Sequence, residues 1–194
     1  MNELKTIAEI NEEIKGVVSV AENISLTATN AMLVARQAGN HAVGFSMVVR
    51  ELRRYSEKTA EAMQGLSRLI YSQVLANANK RNQVRKLDLL NKAEAGGGLA
   101  QTRIAPACTS NQANVEETER LIATQVRDLQ LSIRRTRKQC AAGLVIARSA
   151  GIEAAHGGEM MPILRQIAQD VEAIVVHIAQ RIKKLESRLS ETRA

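Results

Sequence analysis

Apolar residues recur every three or four positions from the start of the chain: Ile7, Ile10, Ile14, Val17, Ala21, Ile24, Ala28, Ala31, Ala35 and Ala38. A period near 3.5 keeps one stripe of an α-helix turned toward a partner helix, so the spacing predicts a coiled-coil seam. The seam passes from Ile and Val to Ala as it nears Gly39, and small side chains let helices approach closely. A glycine-bearing turn over 39–44 follows. The spacing then resumes with Phe45, Val48, Leu52, Tyr55, Thr59, Ala62, Leu66 and Leu69, and weakens through Gln73, Ala76, Lys80 and Gln83 before Leu87 and Leu90. A short connection makes the two helices antiparallel neighbours, so residues 1–91 are expected to form a helical hairpin.

Residues 92–113 contain Gly96 to Gly98, Pro106 and a Ser/Thr/Asn cluster, a composition that breaks helices and predicts a flexible linker. A helix start is expected near Ser110 to Asn114, where Glu116 and Glu117 favour the N-terminal end of the macrodipole. The next seam is Val115, Glu119, Ile122, Val126, Leu129, Ile133, Thr136, Cys140, Gly143, Ala147 and Ala150, which from Glu119 onward is the first seam shifted by 112 residues. GLVIARSAG at 143–151 repeats AMLVARQAG at 31–39, and such identity points to an internal duplication. After a longer second tip over 151–159 the shift becomes 115, which aligns Arg50 with Arg165. Leu164, Ile167, Val171, Ile174, Ile178, Ile182, Leu185 and Leu189 then predict a last helix, with one extra residue between Ile178 and Ile182 that would unwind it locally. Residues 114–194 are thus a second, diverged hairpin. The two together predict an all-α chain of long antiparallel hairpins forming one four-helix bundle.

Composition supports this picture. Of 194 residues 45% are apolar, yet there is one Phe, two Tyr, no Trp and only two Pro, a profile that suits long helices. The net charge of +7 favours acidic partners, while the lack of aromatics argues against stacking on single-stranded nucleic acid. No apolar run is read as reaching the roughly 20 residues a membrane span needs, and the acidic N-terminus differs from a signal peptide, so a cytoplasmic protein is expected. Cys108, in the expected linker, and Cys140, on the apolar face, lack disulfide-framework or metal-ligand spacing.

The stretch 25–59, SLTATNAMLVARQAGNHAVGFSMVVRELRRYSEKT, resembles the cytoplasmic signalling hairpin of bacterial chemoreceptors, the methyl-accepting chemotaxis proteins. Asn30, Ala31, Ala35, Ala38, Gly39, Gly44, Phe45, Val48, Glu51 and Arg53 match that family's tip pattern. In the family, two hairpins from two subunits form a four-helix bundle whose tip docks a chemotaxis histidine kinase and a coupling protein. The resemblance therefore implies a receptor dimer fused into one chain, a monomeric pseudo-dimer that binds such a kinase, a coupling protein or chemoreceptors. It places the partner contacts on Asn30, Gly39, Gly44, Phe45, Met47 and Val48. Val34, Gln37, Asn40 and Val43 stand where the family has Glu, Arg, Glu and Arg, which implies altered contacts between neighbouring dimers.

Glu12 and Glu13 resemble the paired acids that receptor methyltransferases modify, although they lie much closer to the tip than the family's methylation helices and read first as a solvated helical face. His41 and His156 are related by the shift of 115; with Glu153 or Glu159 they could sense pH or hold a metal, but two histidines without fixed carboxylate spacing read as solvated tip residues, and no metal or cofactor is expected. The basic run Arg134, Arg135, Arg137 and Lys138, echoed by Arg50, Arg53 and Arg54, leaves a helical nucleic-acid binder or a purely structural coiled coil as alternatives. No nucleophile-base pair, phosphate loop or paired catalytic carboxylates are present in the sequence, so an enzyme is not expected.

Overall fold

The computed structural model describes the backbone of residues 2–94 and 99–191 and the side chains of 8–94 and 104–188. Four helices account for nearly all of it: α1 (Asn2–Gln37), α2 (Val43–Glu94), α3 (Leu99–Ala154) and α4 (Met161–Glu191), with short 3-10 turns at Gly39–Ala42 and Gly158–Met160. No strand occurs among the described residues. The expected all-α helical bundle is what the chain forms.

The chain divides into two compact units, Met1–Ser67 with Ser132–Ala194, and Arg68–Leu131. The boundaries fall inside α2 and α3, not in the expected linker. In the first unit, segments of the four helices are linked side by side, α1 to α2, α2 to α3, α3 to α4 and α4 to α1. Ser56 Oγ donates to the Ala21 carbonyl between α2 and α1, Gln139 Nε2 donates to Thr59 Oγ1 at 3.4 Å between α3 and α2, Arg148 pairs with Glu172 at 3.5 Å between α3 and α4, and Arg181 pairs with Glu13 at 3.0 Å between α4 and α1.

The core of this unit follows the seams. Ile10, Ile14, Val17, Ala21, Ile24, Ala28, Ala31 and Ala35 on α1 are buried, as are Ile133, Thr136, Cys140, Gly143, Ala147 and Ala150 on α3. Near the turns α1 and α3 contribute small residues, and α2 and α4 contribute Phe45, Leu52, Tyr55, Leu164 and Val171. Large side chains thus fill the space that small ones leave, each large one contributing about 1.5–3 kcal/mol on burial. Gly143 is the extreme case: an added Cβ would lie 2.5 Å from the Tyr55 ring.

Three sequence expectations need correction. On α2 Phe45, Leu52, Tyr55, Thr59, Leu66 and Ala76 are buried as expected, and Val49, Ser56, Met63 and Ile70 join them, while Val48, Ala62 and Leu69 are half-buried. A helix that touches two neighbours buries a stripe wider than a strict seam, and either flank preserves a 3-4 spacing. On α4 the buried set is Leu164, Ala168, Val171, Val175, Ile178, Ile182 and Leu185; with Ala168 and Val175 in the core, the 4-3 alternation is unbroken and no extra residue interrupts it. Ile7 and Leu189 lie outside the described side chains.

The third correction concerns the expected linker. Residues 92–94 belong to α2, and α3 already begins at Leu99, runs through Pro106 and carries Cys108 half-buried on its surface. Residues 95–98, with the glycine triplet, lie outside the described residues. The polar residues taken for a cap cluster serve the helix instead: Thr109 Oγ1 donates to the Ala105 carbonyl at 3.1 Å, and Asn111 Nδ2 donates to the Gln83 carbonyl at 2.8 Å. In this second unit α2 and α3 are joined by polar contacts where the α2 seam weakens, including Gln125 Nε2 to Ser72 Oγ at 2.7 Å and Lys80 to Glu119 at 2.8 Å.

One stretch, Ala8–Gln37, is long and apolar enough to cross a membrane by length and composition alone, contrary to the expectation above. Glu22 is the one charged side chain between Gly16 and Ala35. In the bundle its seam faces the core, and 28% of the apolar window is buried.

Candidate functional site

The two hairpin turns meet at one end of the first unit. Gly39 has φ +60° and Gly158 φ +58°, a left-handed conformation that glycine adopts without steric cost. The first turn occupies Ala38 to Ala42, one to two residues earlier than expected, since Gly44 is already helical. The second occupies 155–160, with Gly151 inside α3; it closes through hydrogen bonds from His156 N to the Glu153 carbonyl and Gly157 N to the Ala154 carbonyl.

Gly44 lies against the Glu153 carboxylate of the neighbouring hairpin. An added Cβ would collide with the Glu153 carboxylate, so the absent side chain lets an acid from α3 sit against the first turn of α2, where the macrodipole favours it. At Gly158 a Cβ would lie 3.6 Å from the His41 ring, which brings the two turns into contact. His41 and His156 are both exposed, and no group of three or more metal-ligating side chains forms among the described residues.

The residues assigned to partner contact separate into two kinds. Phe45 is 1% exposed and belongs to the core, so its ring is not available to a partner. Asn30 and Gly39 are exposed, Gly44 and Val48 half-buried, and Met47 is 60% exposed with Val43 beside it at 57%. Met47 and Val43 are therefore the apolar surface of the first tip; Val43 was missed because it stands where the resemblance offers an arginine. Glu12 is exposed and pairs with Lys15 at 3.0 Å. The Glu13 carboxylate is held by Arg181, whose guanidinium lies over Gly16.

Beside each turn a groove opens between the two helices of its hairpin. The first, about 240 Å³, is lined by the apolar Met32, Leu33 and Val49 and by Arg36, Arg50 and Arg53. The second, about 330 Å³, carries Arg148, Ile152, Arg165 and Ala168, with Glu172. Arg36 and Arg148 are related by the 112-residue shift, and Arg50 and Arg165 by the 115-residue shift. Arg36 was overlooked as a site residue, although its repetition as Arg148 was visible in the two copies of the turn approach.

Deeper in the unit, Tyr55 is 4% exposed, and its hydroxyl has no regular hydrogen bond. Burial raises its pKa above that of an ordinary phenol, reinforced by the Cys140 thiol beside it. Burial also raises the pKa of Cys140, so this thiol is suited to packing more than to nucleophilic attack. No protein-family model matches the chain.

Proposed function

We propose that this chain is a receptor-like signalling scaffold, a cytoplasmic binding protein that engages a chemotaxis histidine kinase, a coupling protein or a chemoreceptor through its first hairpin tip. Two hairpins in one chain stand in for the two subunits of a receptor dimer. The observation that carries the reading is the pairing of both turns at one end, with Gly44 against Glu153 and Gly158 against His41. The 25–59 resemblance gives the partner class, and exposed Met47 and Val43 give the contact. Phe45 acts from the core, holding the α2 start that presents Met47.

The test is capture of a purified chemotaxis coupling protein and its kinase. Met47→Glu combined with Val43→Glu is expected to weaken capture by about tenfold or more, as loss of an apolar anchor does, with unchanged helicity by circular dichroism. Undiminished capture by the folded variant overturns the tip assignment. Absence of any capture by the native chain, together with salt-sensitive binding of duplex DNA, would favour a basic nucleic-acid binder.

A further inference from the structure

We propose that the groove between α1 and α2 beside the first turn docks an acidic amphipathic helix of a partner protein. Its apolar lining is aliphatic: Leu33 is 56% exposed there, next to half-buried Met32 and buried Val49. Its charged lining is cationic. Arg36 and Arg50 pair with no carboxylate among the described residues, and Arg53 reaches only the exposed Glu57 at 3.3 Å, a contact of little energetic weight.

The duplicate groove supplies the contrast. There Arg148 is paired with Glu172 at 3.5 Å, and Ala168 stands where the first groove has Arg53. The second groove sets one acid against two arginines, and the first lines its apolar surface with three arginines and no acid. An occupant that satisfies both features needs aliphatic side chains along one stripe and carboxylates on either side of it. Arginine forks bind carboxylates in two-pronged fashion, and a trough between antiparallel helices accepts a third helix by ridge-into-groove packing. A nucleic-acid backbone would satisfy the arginines and leave Leu33 and Met32 against phosphate and sugar. The lining from Ala28 to Arg36 spans roughly 12 Å of α1, room for two turns of such a helix.

The probe is a fluorescein-labelled synthetic peptide of about 18 residues with leucines at heptad spacing and glutamates flanking them, titrated with the full chain by fluorescence anisotropy at roughly 0.15 M salt. The expected result is saturable binding that weakens about tenfold or more in Arg36→Glu/Arg50→Glu and in Leu33→Asp, and by less than about twofold in Arg148→Glu/Arg165→Glu. The two arginine pairs change net charge equally, so equal losses would reduce the effect to overall charge and overturn the proposal. Equal affinity for a scrambled peptide of the same composition, no binding by the native chain, or displacement by duplex DNA acting through Arg36 and Arg50 would overturn it as well. Circular dichroism establishes that each variant folds. Met47 does not line the groove, and Met47→Ser, which puts no carboxylate three residues from Arg50, is expected to leave peptide binding unchanged, which separates failure here from failure of the scaffold reading.

Discussion

Tyr55 sits where a seam of aliphatic residues would be expected, and its buried hydroxyl meets only the Cys140 thiol and Thr59, without a regular hydrogen bond. Around it lie Thr59, whose Oγ1 donates to the Tyr55 carbonyl at 2.8 Å, and Cys140. A buried polar group without a partner costs stability, so Tyr55→Phe, which keeps the ring against Gly143, is expected to leave stability unchanged or raise it by about 1 kcal/mol at neutral pH. The alkaline behaviour follows from the raised pKa. The unfolded chain releases the phenolic proton from about pH 10 upward while the folded chain holds it, so stability falls as pH rises past that point. Tyr55→Phe removes this component and leaves the one due to Cys140, which begins about one and a half units lower. Urea unfolding at neutral pH and near pH 10.5 measures both; an identical alkaline loss in variant and native chain would mean that Tyr55 is not the group responsible. The 3-4 spacing placed Tyr55, Thr59, Cys140 and Gly143 in the core, because burial follows from period. It did not reveal that the Tyr55 ring occupies the space of the missing Gly143 side chain, since that depends on which helices are neighbours.

At the scale of elements, α3 is where local composition and helical continuity disagree. Pro106 inside α3 removes a backbone hydrogen bond, a cost of about 3 kcal/mol in a helix interior, and the sequence was reasonably read as a break there. The polar residues beyond it are used differently from caps: Thr109 bonds back to its own helix and Asn111 reaches across to the Gln83 carbonyl. Whether such a side chain caps a helix or joins two is set by the partner helix, which composition does not contain. The same logic explains the seam of α2 beyond Ser67, where Ser72, Lys80 and Gln83 are partners for Gln125, Glu119 and Asn111. Asn111 is 5% exposed, and one buried asparagine in a helical seam fixes register at some cost in stability. Asn111→Leu is therefore expected to raise the melting temperature while allowing association through the altered seam, seen as dimers by light scattering. A variant that stayed monomeric and melted lower would show the asparagine bond to be net stabilising instead.

At the scale of the molecule, the 112-residue shift that relates the two hairpins is written in the sequence, and the contact between their turns is not. Neither turn alone indicates that Gly44 makes room for Glu153, or that Gly158 faces His41; both follow from drawing the copies together. The first unit builds its core from both Met1–Ser67 and Ser132–Ala194, and Glu9 and Glu13 of α1 pair with Arg188 and Arg181 of α4. A single hairpin leaves the stripes of Ile10 to Ala35 or of Leu164 to Leu185 against water, and two-helix structures of this kind have little stability of their own. Residues 1–94 and 99–194, prepared separately, are therefore expected to be weakly helical or self-associated. Mixed in equal amounts they should recover the helicity of the intact chain as a one-to-one complex, measured by circular dichroism and sedimentation. Arg181→Ala in the second fragment would leave Glu13, with 16% of its side chain exposed, without its cation and weaken that complex by roughly 1–3 kcal/mol. Two fragments that each fold as stable monomers would mean that the hairpins are independent, and that the meeting of the turns contributes little to holding the bundle together.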